Sequence, residues 1–455
     1  MLVNRVEAGR YLDSVALMRV SRSLEALPGV DAAALMIGSP SNKALLRDAA
    51  LLAPEAEQAT PNDLIIAVRG TKAGDAVQSA LEMLLETKQA RSDALPHARS
   101  LAGALELLPQ ANLALISVPG EFAAYEARKA LERGLNALVF SDNVPIEEEA
   151  ALKRLAAEKQ LLLMGPDCGT ALIAGTPIAF ANAVPRGDIG IVSASGTGLQ
   201  EVSSLIARMG GGVSHGIGVG GRDLDARVGA LGTFSALEAL ESDAGTKKIV
   251  LISKPPAPEV AKRVLERVKR SAKPSVVCFL GSSEPGLART LTEAAELAMG
   301  KKIAIEDVPP PKKSKGRVRG LFCGGTLCAE AELIFRQKGL TGHRFIDLGD
   351  DEHTRGRPHP MIDPEIRNDH IARALADPAV GVILVDVVLG YGAHENPAGV
   401  LLKNDFSSKT VVASVTGTDQ DPQVFSRQVA LLREAGVLVA ASNAYAAQLA
   451  AALVS

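Results

Sequence analysis

From about residue 110 onward, short apolar runs alternate with amphipathic stretches of helical periodicity. The runs show no polar alternation, which is typical of parallel strands that are buried on both faces. The pattern therefore predicts repeated β-α units and an α/β fold. The first repeats give strands at 113–118, 137–140 and 161–164, with helices over 121–132 and 147–159.

Two further segments, 187–305 and 317–455, carry the same rhythm. A Pro- and Lys-rich stretch, 306–316, separates them and predicts a linker. We interpret the two segments as duplicated flavodoxin-like domains. Their predicted strands lie at 189–192, 213–219, 248–252 and 275–279, and at 318–323, 344–347, 381–387, 410–415 and 437–440.

The N-terminal residues, 1–108, follow a β-α-β…β-α order that predicts a small α+β domain of ferredoxin-like type. Residues 109–186 predict a Rossmann-like domain. Pro119-Gly120-Glu121 stands where a G-x-G-x-x-G fingerprint would be, so the sequence does not support dinucleotide binding. The predicted N-terminal elements are strands at 2–6, 31–37 and 63–68 and helices at 12–27 and 75–85.

Charge and composition exclude several classes of protein. A net charge of −3 gives no electrostatic case for binding nucleic acid or an anionic membrane. The four cysteines show neither a disulfide framework nor C-x-x-C spacing, and we predict no metal site. Charges within the N-terminal apolar pattern, and the lack of an 18-residue apolar window, argue against a signal peptide or membrane span. We expect a cytoplasmic protein.

A loop of the form small-Gly-Thr-x-x-x-Glu begins both duplicated domains. Ser195-Gly196-Thr197 leads to Glu201, and Gly324-Gly325-Thr326 leads to Glu330. A strand that turns through glycine into a helix aims the open N–H groups of the helix at one point, which suits an anion. We expect the two loops to bind one phosphate or carboxylate between two helix ends.

Other strand ends supply further candidate residues. Glycine clusters there predict a ligand crevice, because open parallel sheets bind ligands at the carboxyl ends of their strands. Each cluster taken alone is equally consistent with a tight turn. The candidate substrate-binding residues in these clusters are Gly220, Gly221, Gly392 and His394.

The densest polar stretch is 349–363. Arg355 could hold a substrate carboxylate, and Arg357 and His359 could take part in catalysis, because arginine forks bind carboxylates and histidine titrates near neutral pH. A solvated loop or a metal site are the alternatives for this stretch. Lys254, at another strand end, could place a catalytic cation in the crevice or could be a surface lysine.

Several of these motifs resemble succinyl-CoA synthetase. Residues 110–280 resemble its α-subunit, and 317–455 resemble the C-terminal domain of its β-subunit. The marks are 164–168, 190–197 and 218–221 in the first part and 345–349 and 382–386 in the second. In that family the two loops begin paired helices that hold a phosphorylated histidine. The resemblance implies that CoA could bind, and it places succinyl-CoA-synthetase-type domains after a CoA-binding-type Rossmann-like domain.

Two departures from that family bear on function. The segment 281–286, Gly-Ser-Ser-Glu-Pro-Gly, stands where the phosphohistidine loop is expected, and no histidine lies between His215 and His343. The 455 residues also carry no ATP-grasp segment. The resemblance therefore implies that the chain alone does not make an acyl-CoA from ATP.

Nearly the whole chain resembles the FdrA family of acyl-CoA synthetase-like proteins. The segments that carry this resemblance are 13–18, 59–63, 140–144 and 357–364. Some members of that family are linked to allantoin catabolism, as part of an oxamate carbamoyltransferase that works with partner proteins. That enzyme converts oxalurate and phosphate into oxamate and carbamoyl phosphate.

The resemblance implies a carbamoyl- or acyltransferase that acts on a small acidic amide or ureide. Phosphate or carbamoyl phosphate would be a substrate, and partner subunits in a homo- or hetero-oligomer are expected. One alternative is an acyl-CoA ligase subunit that uses the ATP-grasp domain of another chain. The other is a non-catalytic scaffold that binds CoA or an anion.

Overall fold

A computed structural model of the chain shows a fold made of two compact units. The first comprises Met1–Ser100 with Asp351–Pro358, and the second comprises Leu101–Asp350 with His359–Ser455. The structure describes residues 1–10, 12, 14–89, 98–305, 313–354 and 358–455.

The N-terminal unit is a three-stranded antiparallel sheet with the order β1-β3-β2. Because the central strand runs antiparallel to both neighbours, the unit has the split β-α-β arrangement of ferredoxin-like folds. Side chains of the central strand alternate between two apolar clusters, one under α1 and α3 and the other under α2. The elements are β1 (Leu2–Glu7), α1 (Ser14–Glu25), β2 (Val30–Ile37), α2 (Pro40–Asp48), β3 (Leu64–Gly70) and α3 (Ala73–Gln89).

The sequence pattern did not predict α2. Its signals are local: Ser39 caps the helix by accepting the Asn42 amide, and Pro40 occupies the first turn, where its missing N–H is harmless. Leu46 on this helix is buried against the sheet.

The second unit begins with a parallel sheet of order β4-β5-β6. Every predicted strand and helix of this segment is present, with bounds within two residues of the prediction. Helix α4 was not predicted. The elements are α4 (Leu101–Leu107), β4 (Leu113–Ile116), α5 (Gly120–Glu132), β5 (Asn136–Val139), α6 (Ile146–Glu158) and β6 (Leu163–Met164).

A hairpin that we had included in the Rossmann-like domain joins the next sheet instead. It consists of β7 (Thr170–Ile173) and β8 (Thr176–Ala179). Ala174 and Gly175 in its turn both have positive φ, as a two-residue hairpin turn requires. The first hairpin strand pairs antiparallel with β10 (Val213–Gly218), so the predicted domain 109–186 contains residues whose hydrogen bonds lie in the following sheet.

The first duplicated domain contributes four parallel strands in the order β12-β11-β9-β10. This is the flavodoxin-like order, in which the chain reverses direction across the sheet between β9 and β11. The observed strands match the predicted bounds to within one residue. The elements are β9 (Ile189–Ser193), α7 (Gly196–Arg208), β10 (Val213–Gly218), α8 (Leu231–Ser242), β11 (Lys248–Ser253), α9 (Pro258–Lys269), β12 (Ser275–Phe279) and α10 (Leu291–Met299).

The second duplicated domain has the same topology, with strand order β14-β13-β15-β16-β17. Its switch point lies between β13 and β15. The strand predictions again hold to within one residue. The elements are β13 (Arg317–Phe322), α11 (Gly325–Gln337), β14 (Arg344–Asp347), α12 (Asp351–Thr354, in the first unit), α13 (Ile366–Ala376), β15 (Val380–Val388), α14 (Pro397–Leu401), β16 (Thr410–Thr416), α15 (Phe425–Glu434), β17 (Leu438–Ala440) and α16 (Asn443–Val454).

Four helices join the two flavodoxin-like domains into one body. Helices α7 and α10 of the first domain and α11 and α16 of the second share a single apolar cluster with the facing sides of both sheets. Helix α7 corresponds to α11, and α10 to α16, so the arrangement has an approximate twofold symmetry. The first helix of each domain therefore begins near the first helix of the other.

Candidate functional site

The two Gly-Thr loops meet at the interface of the flavodoxin-like domains. Each follows the first strand of its domain, at the switch point of the sheet. Ser195 Oγ and Thr326 Oγ1 lie 2.5 Å apart and share a hydrogen bond. The structure thus brings together the two loops that the sequence suggested would face one point.

At the first loop, Ser195 caps α7 by accepting the Gly198 amide at 2.8 Å. The amides of Gly196 and Thr197 find no acceptor among the described residues. The start of α7 therefore presents two open donors and the positive end of the helix dipole.

The second loop differs because a buried carboxylate already occupies part of it. Asp386, at the end of β15, accepts the amides of Cys323 and Gly324, each at 2.8 Å. Gly324, which we had predicted to bind the anion, is therefore engaged within the protein. The amides of Gly325 and Thr326 remain without an acceptor in the part of the chain that the structure describes.

Arg367 balances the charge of Asp386. The guanidinium donates to the carboxylate at 2.9 Å and to the backbone oxygen of the same residue at 2.6 Å. Both side chains are buried. Sequence reasoning missed this pair. Its one signal was a carboxylate in an otherwise apolar strand, which needs a buried partner.

Two charged side chains, Asp347 and Lys254, lie close to Gly325, the first residue of α11. A Cβ atom there would overlap Asp347 Oδ2 and would lie 3.6 Å from Lys254 Nζ. Asp347 ends β14, and its Oδ1 accepts the Gly349 amide at 3.0 Å. Burial raises the pKa of Asp347 to about 6, while this hydrogen bond and the positive charge of Lys254 act in the opposite direction.

Lys254 lies where the sequence placed it, at the end of β11, and its side chain is exposed. It makes no ion pair within 4 Å and no hydrogen bond with the described residues. The ammonium group is therefore available to an incoming anion beside the open amides of Gly325 and Thr326.

His359 lies close to this site, but its imidazole does not take up a proton near neutral pH. Its Nδ1 accepts the Met361 amide, and burial lowers its pKa to about 4. A Cβ on Gly349 would overlap its Nε2. His359 is therefore neutral near pH 7, and since the lone pair of Nδ1 is engaged, its Nε2 serves as a hydrogen donor. The predicted acid-base role near neutrality does not fit this environment.

His394 and Gly392 have structural partners in the adjacent loop. His394 Nδ1 accepts the Asn396 amide at 3.0 Å, and burial lowers its pKa. Gly392 has a φ of +79°, and a Cβ there would come within 2.6 Å of the Phe180 ring. Arg355 and Arg357 lie outside the described residues, so their predicted roles remain predictions.

Gly220 and Gly221 lie where the loop after β10 approaches the loop after β6. Gly220 has a φ of +87°, and a Cβ on it would overlap the backbone oxygen of Pro166. These contacts account for the glycine at position 220 by close packing of two strand-end loops.

A buried ionic cluster fixes the loop after β10. Lys153 Nζ, on α6, contacts Asp223 Oδ1 at 2.6 Å, the backbone oxygen of Val219 at 2.8 Å and Glu149 Oε1 at 3.0 Å. Lys153, Glu149 and Asp223 are all buried, whereas Arg222, which pairs with Glu149 at 2.8 Å, is partly exposed. The cluster ties the three-stranded sheet to the first flavodoxin-like domain.

The glutamates of the repeated motif cross between the two domains. Glu330 on α11 accepts the first amide of α10, at Leu291, at 2.7 Å. Glu201 on α7 accepts the first amide of α16, at Asn443, at 3.0 Å. Each carboxylate therefore stabilises a helix N-terminus of the opposite domain. Burial raises the pKa of Glu330 to about 7 and also raises that of Glu201.

Sequence comparisons identify domains of known families in this chain. The sequence model of the CoA-ligase family matches residues 321–453, and that of the "AllF, heavy metal-associated domain" matches residues 1–99. No helix of the described residues is long and apolar enough to cross a membrane.

The name of the N-terminal family raises the question of a metal. Residues 1–99 contain no cysteine and one histidine, His97. Soft metal ions are held by thiolate and thioether ligands, so this domain lacks the cysteine ligands of such a site. Over the described ranges no group of three or more His, Cys, Asp or Glu residues could hold a metal ion. The residues therefore do not fit a cysteine-based heavy-metal site.

Individual relatives extend these matches. The "Uncharacterized protein YahF" of Escherichia coli (strain K12) is 42% identical over 96% of this chain and 96% of its own length. The "Succinate--CoA ligase [ADP-forming] subunit alpha 1" of Archaeoglobus fulgidus is 26% identical over 38% of this chain and 60% of its own. The solved apo structure of Ca. Korarchaeum cryptofilum dinucleotide forming acetyl-coenzyme A synthetase 1 has 19% identity and a TM-score of 0.32, covering 79% of this chain and 87% of that one.

Proposed function

Given that the chain belongs to the family of the Escherichia coli YahF protein, with an AllF-type N-terminal domain and a CoA-ligase domain, we propose that it is a phosphate-dependent acyl- or carbamoyltransferase. The reaction we assign is transfer of the carbamoyl group of oxalurate to phosphate. The products are oxamate and carbamoyl phosphate.

The observation that carries the proposal is the set of open donors at the facing helix ends. Gly196 and Thr197 at α7, and Gly325 and Thr326 at α11, have amides without acceptors among the described residues. Each helix end carries about half a positive charge, and Lys254 adds a full one. A phosphate dianion suits this combination better than a neutral ligand does.

The departure from the phosphohistidine enzymes supports a free phosphate. Residues 281–286 begin at the end of β12, where a Cβ on Gly281 would lie 3.0 Å from Leu333 of α11. This loop therefore starts against α11, and it contains no histidine. With no imidazole in this loop to carry a phosphoryl group, phosphate itself would be the acceptor.

The same donors would support the transition state. Attack of phosphate on a carbamoyl carbon places negative charge on the carbamoyl oxygen, and preorganised amides stabilise such an oxyanion. The substrate carboxylate needs a separate cation, for which Arg355 and Arg357 remain the predicted residues. Partner subunits, which the family resemblance implies, would complete the active assembly.

A second candidate function follows from the matched relatives. Succinate–CoA ligase α-subunits align with part of this chain, and a CoA-ligase domain covers 321–453. An acyl-CoA ligase subunit that works with the ATP-grasp domain of another chain is therefore the alternative. ATP- and CoA-dependent thioester formation in such a mixture, without phosphate-dependent carbamoyl transfer, would favour it.

The test uses the full chain, alone and mixed with proteins encoded near it. Carbamoyl phosphate is measured after addition of oxalurate and phosphate. Lys254→Ala should raise the phosphate concentration for half-maximal rate about tenfold, equivalent to about 1.4 kcal/mol of lost binding. Lys262→Ala, an exposed lysine on α9, is the matched control. Absence of carbamoyl phosphate in every mixture, or equal behaviour of the two variants, would reject the proposal.

A further inference from the structure

Asp347 is a carboxyl group beside the first residue of α11, and it has no ion-pair partner within 4 Å among the described residues. Its Oδ2 packs against the Cα of Gly325, and Lys254 Nζ lies beside the same residue. Its Oδ1 is held by the Gly349 amide. The side chain is thus fixed through one oxygen and presents the other at the start of α11.

We infer that Asp347 is the acid that protonates the leaving nitrogen when the carbamoyl group passes to phosphate. The inference rests on the proposed function and adds a catalytic residue to it. In carbamoyl transfer from oxalurate, the bond that breaks leaves an amide nitrogen with an extra electron pair, which is a poor leaving group unless it is protonated.

The step balances without another reactant. An oxygen of HPO₄²⁻ attacks the carbamoyl carbon and forms the new C–O bond. The C–N bond to the oxamate nitrogen breaks, and its electron pair takes the proton from Asp347 Oδ2. The proton that phosphate brought then passes to the Asp347 carboxylate, which restores the acid. The products are neutral-amide oxamate and the dianion of carbamoyl phosphate.

The surroundings of Asp347 keep its proton available near neutral pH. Its pKa is raised to about 6, chiefly by burial and to a smaller extent by the negative charges of Asp386 on β15 and Asp350 in the following loop. Lys254 and the Gly349 amide oppose this shift. The neighbouring thiols Cys323 and Cys328 are held protonated by burial, so they add no charge. A phosphate dianion bound nearby would raise the pKa again.

The other candidates near the site suit this role less well. Lys254 is exposed and carries the charge that an anion needs. His359 is neutral because burial lowers its pKa to about 4, and its Nδ1 already accepts the Met361 amide. Asp386 is bonded to Arg367 and to two amides. Asp347 remains as the group with both a proton and a free oxygen.

The test compares pH profiles at one fixed, saturating concentration of the HPO₄²⁻ dianion, because phosphate itself ionises in the same range. Wild-type kcat/KM for oxalurate should fall as pH rises through the pKa of the acid. Asp347→Asn should lower kcat about a hundredfold and abolish the fall of kcat/KM with rising pH. The KM for phosphate should change less than threefold. Asp405→Asn, an exposed aspartate of the same domain, should match the wild type.

Asp347→Glu keeps a carboxyl group and provides a second test if the Asn variant does not fold. Asp347→Glu should retain partial activity, and its kcat/KM should fall at a different pH from that of the wild type. The reason is that the longer side chain places its carboxyl group in a different position relative to Gly325. A wild-type profile in either variant would overturn the role of Asp347 while leaving the transferase proposal intact. An inactive wild type in every mixture would instead overturn both.

Discussion

Removal of the buried cation of Lys153 should destabilise the second unit strongly. The ammonium group is buried, donates to two acceptors at 2.6 and 2.8 Å, and forms an ion pair with Glu149 at 3.0 Å. In Lys153→Met two carboxylates lose this partner inside the protein. Breaking a buried ion pair from one side costs about 3–5 kcal/mol.

The structure places the expected loss at the lower end of that range. Asp223 would keep three donors, the amides of Gly232 and Thr233 and the Thr233 hydroxyl. Glu149 would keep Arg222 at 2.8 Å. We therefore expect about 3 kcal/mol of destabilisation for Lys153→Met, because both stranded charges retain some compensation.

The assay is urea denaturation of the full chain, with the unfolding free energy obtained at constant pH and salt. Arg154→Met is the matched control, because it removes a charge from the next residue of the same helix, where the side chain is exposed. It should change stability by about 0.5 kcal/mol or less. Adding Glu149→Gln to Lys153→Met should recover part of the loss. A loss below about 1 kcal/mol, or equal effects at 153 and 154, would refute the reasoning.

Two further predictions concern Glu330 and Gly392. Burial raises the pKa of Glu330 from 4.5 to about 7, so its contribution to stability is complete below pH 4.5 and is lost as pH rises through about 7. Glu330→Gln should remove this decline of about 3 kcal/mol in the free energy of unfolding between pH 5 and pH 8, as measured by urea denaturation. A variant whose stability still falls by the same amount between the two pH values would contradict this prediction. Gly392→Ala should destabilise the protein by about 2 kcal/mol, because a Cβ would collide with Phe180. Gly436→Ala is the control, because Gly436 has a similar φ of +80° but open space around the position of a Cβ. Comparing the melting temperatures of the two variants separates the collision with Phe180 from backbone strain. Equal decreases in melting temperature would exclude a contribution from the collision.

The strands of the flavodoxin-like domains could be predicted closely because fully buried parallel strands leave continuous apolar runs. The repeated loops also indicated that two helix ends meet, since both copies follow the first strand of a domain. The hairpin β7–β8 was missed because its turn, Ala174-Gly175, lacks the Asn-Gly or Asp-Gly signal of such turns.

The site could be predicted only in part, because its charges are paired through space. Nothing in the sequence joins Asp386 to Cys323, Gly324 and Arg367, although the carboxylate in an apolar strand was visible. The state of His359 depends on burial, which its polar loop did not indicate. Asp347 was read as part of a strand, and its proximity to Gly325 appears only when two strand ends are brought together.

The crossed glutamates also constrain the order in which the chain can mature during synthesis. One partner of Glu201 is the amide of Asn443, 242 residues later, at the start of the last helix, and another is the hydroxyl of Thr416. A ribosome that has completed the first flavodoxin-like domain leaves this carboxylate without its final partner for many seconds at ordinary elongation rates. The first domain therefore acquires its last hydrogen bonds only after α16 has been synthesised. Truncation of α16 should destabilise the region around Glu201, more than two hundred residues earlier in the chain.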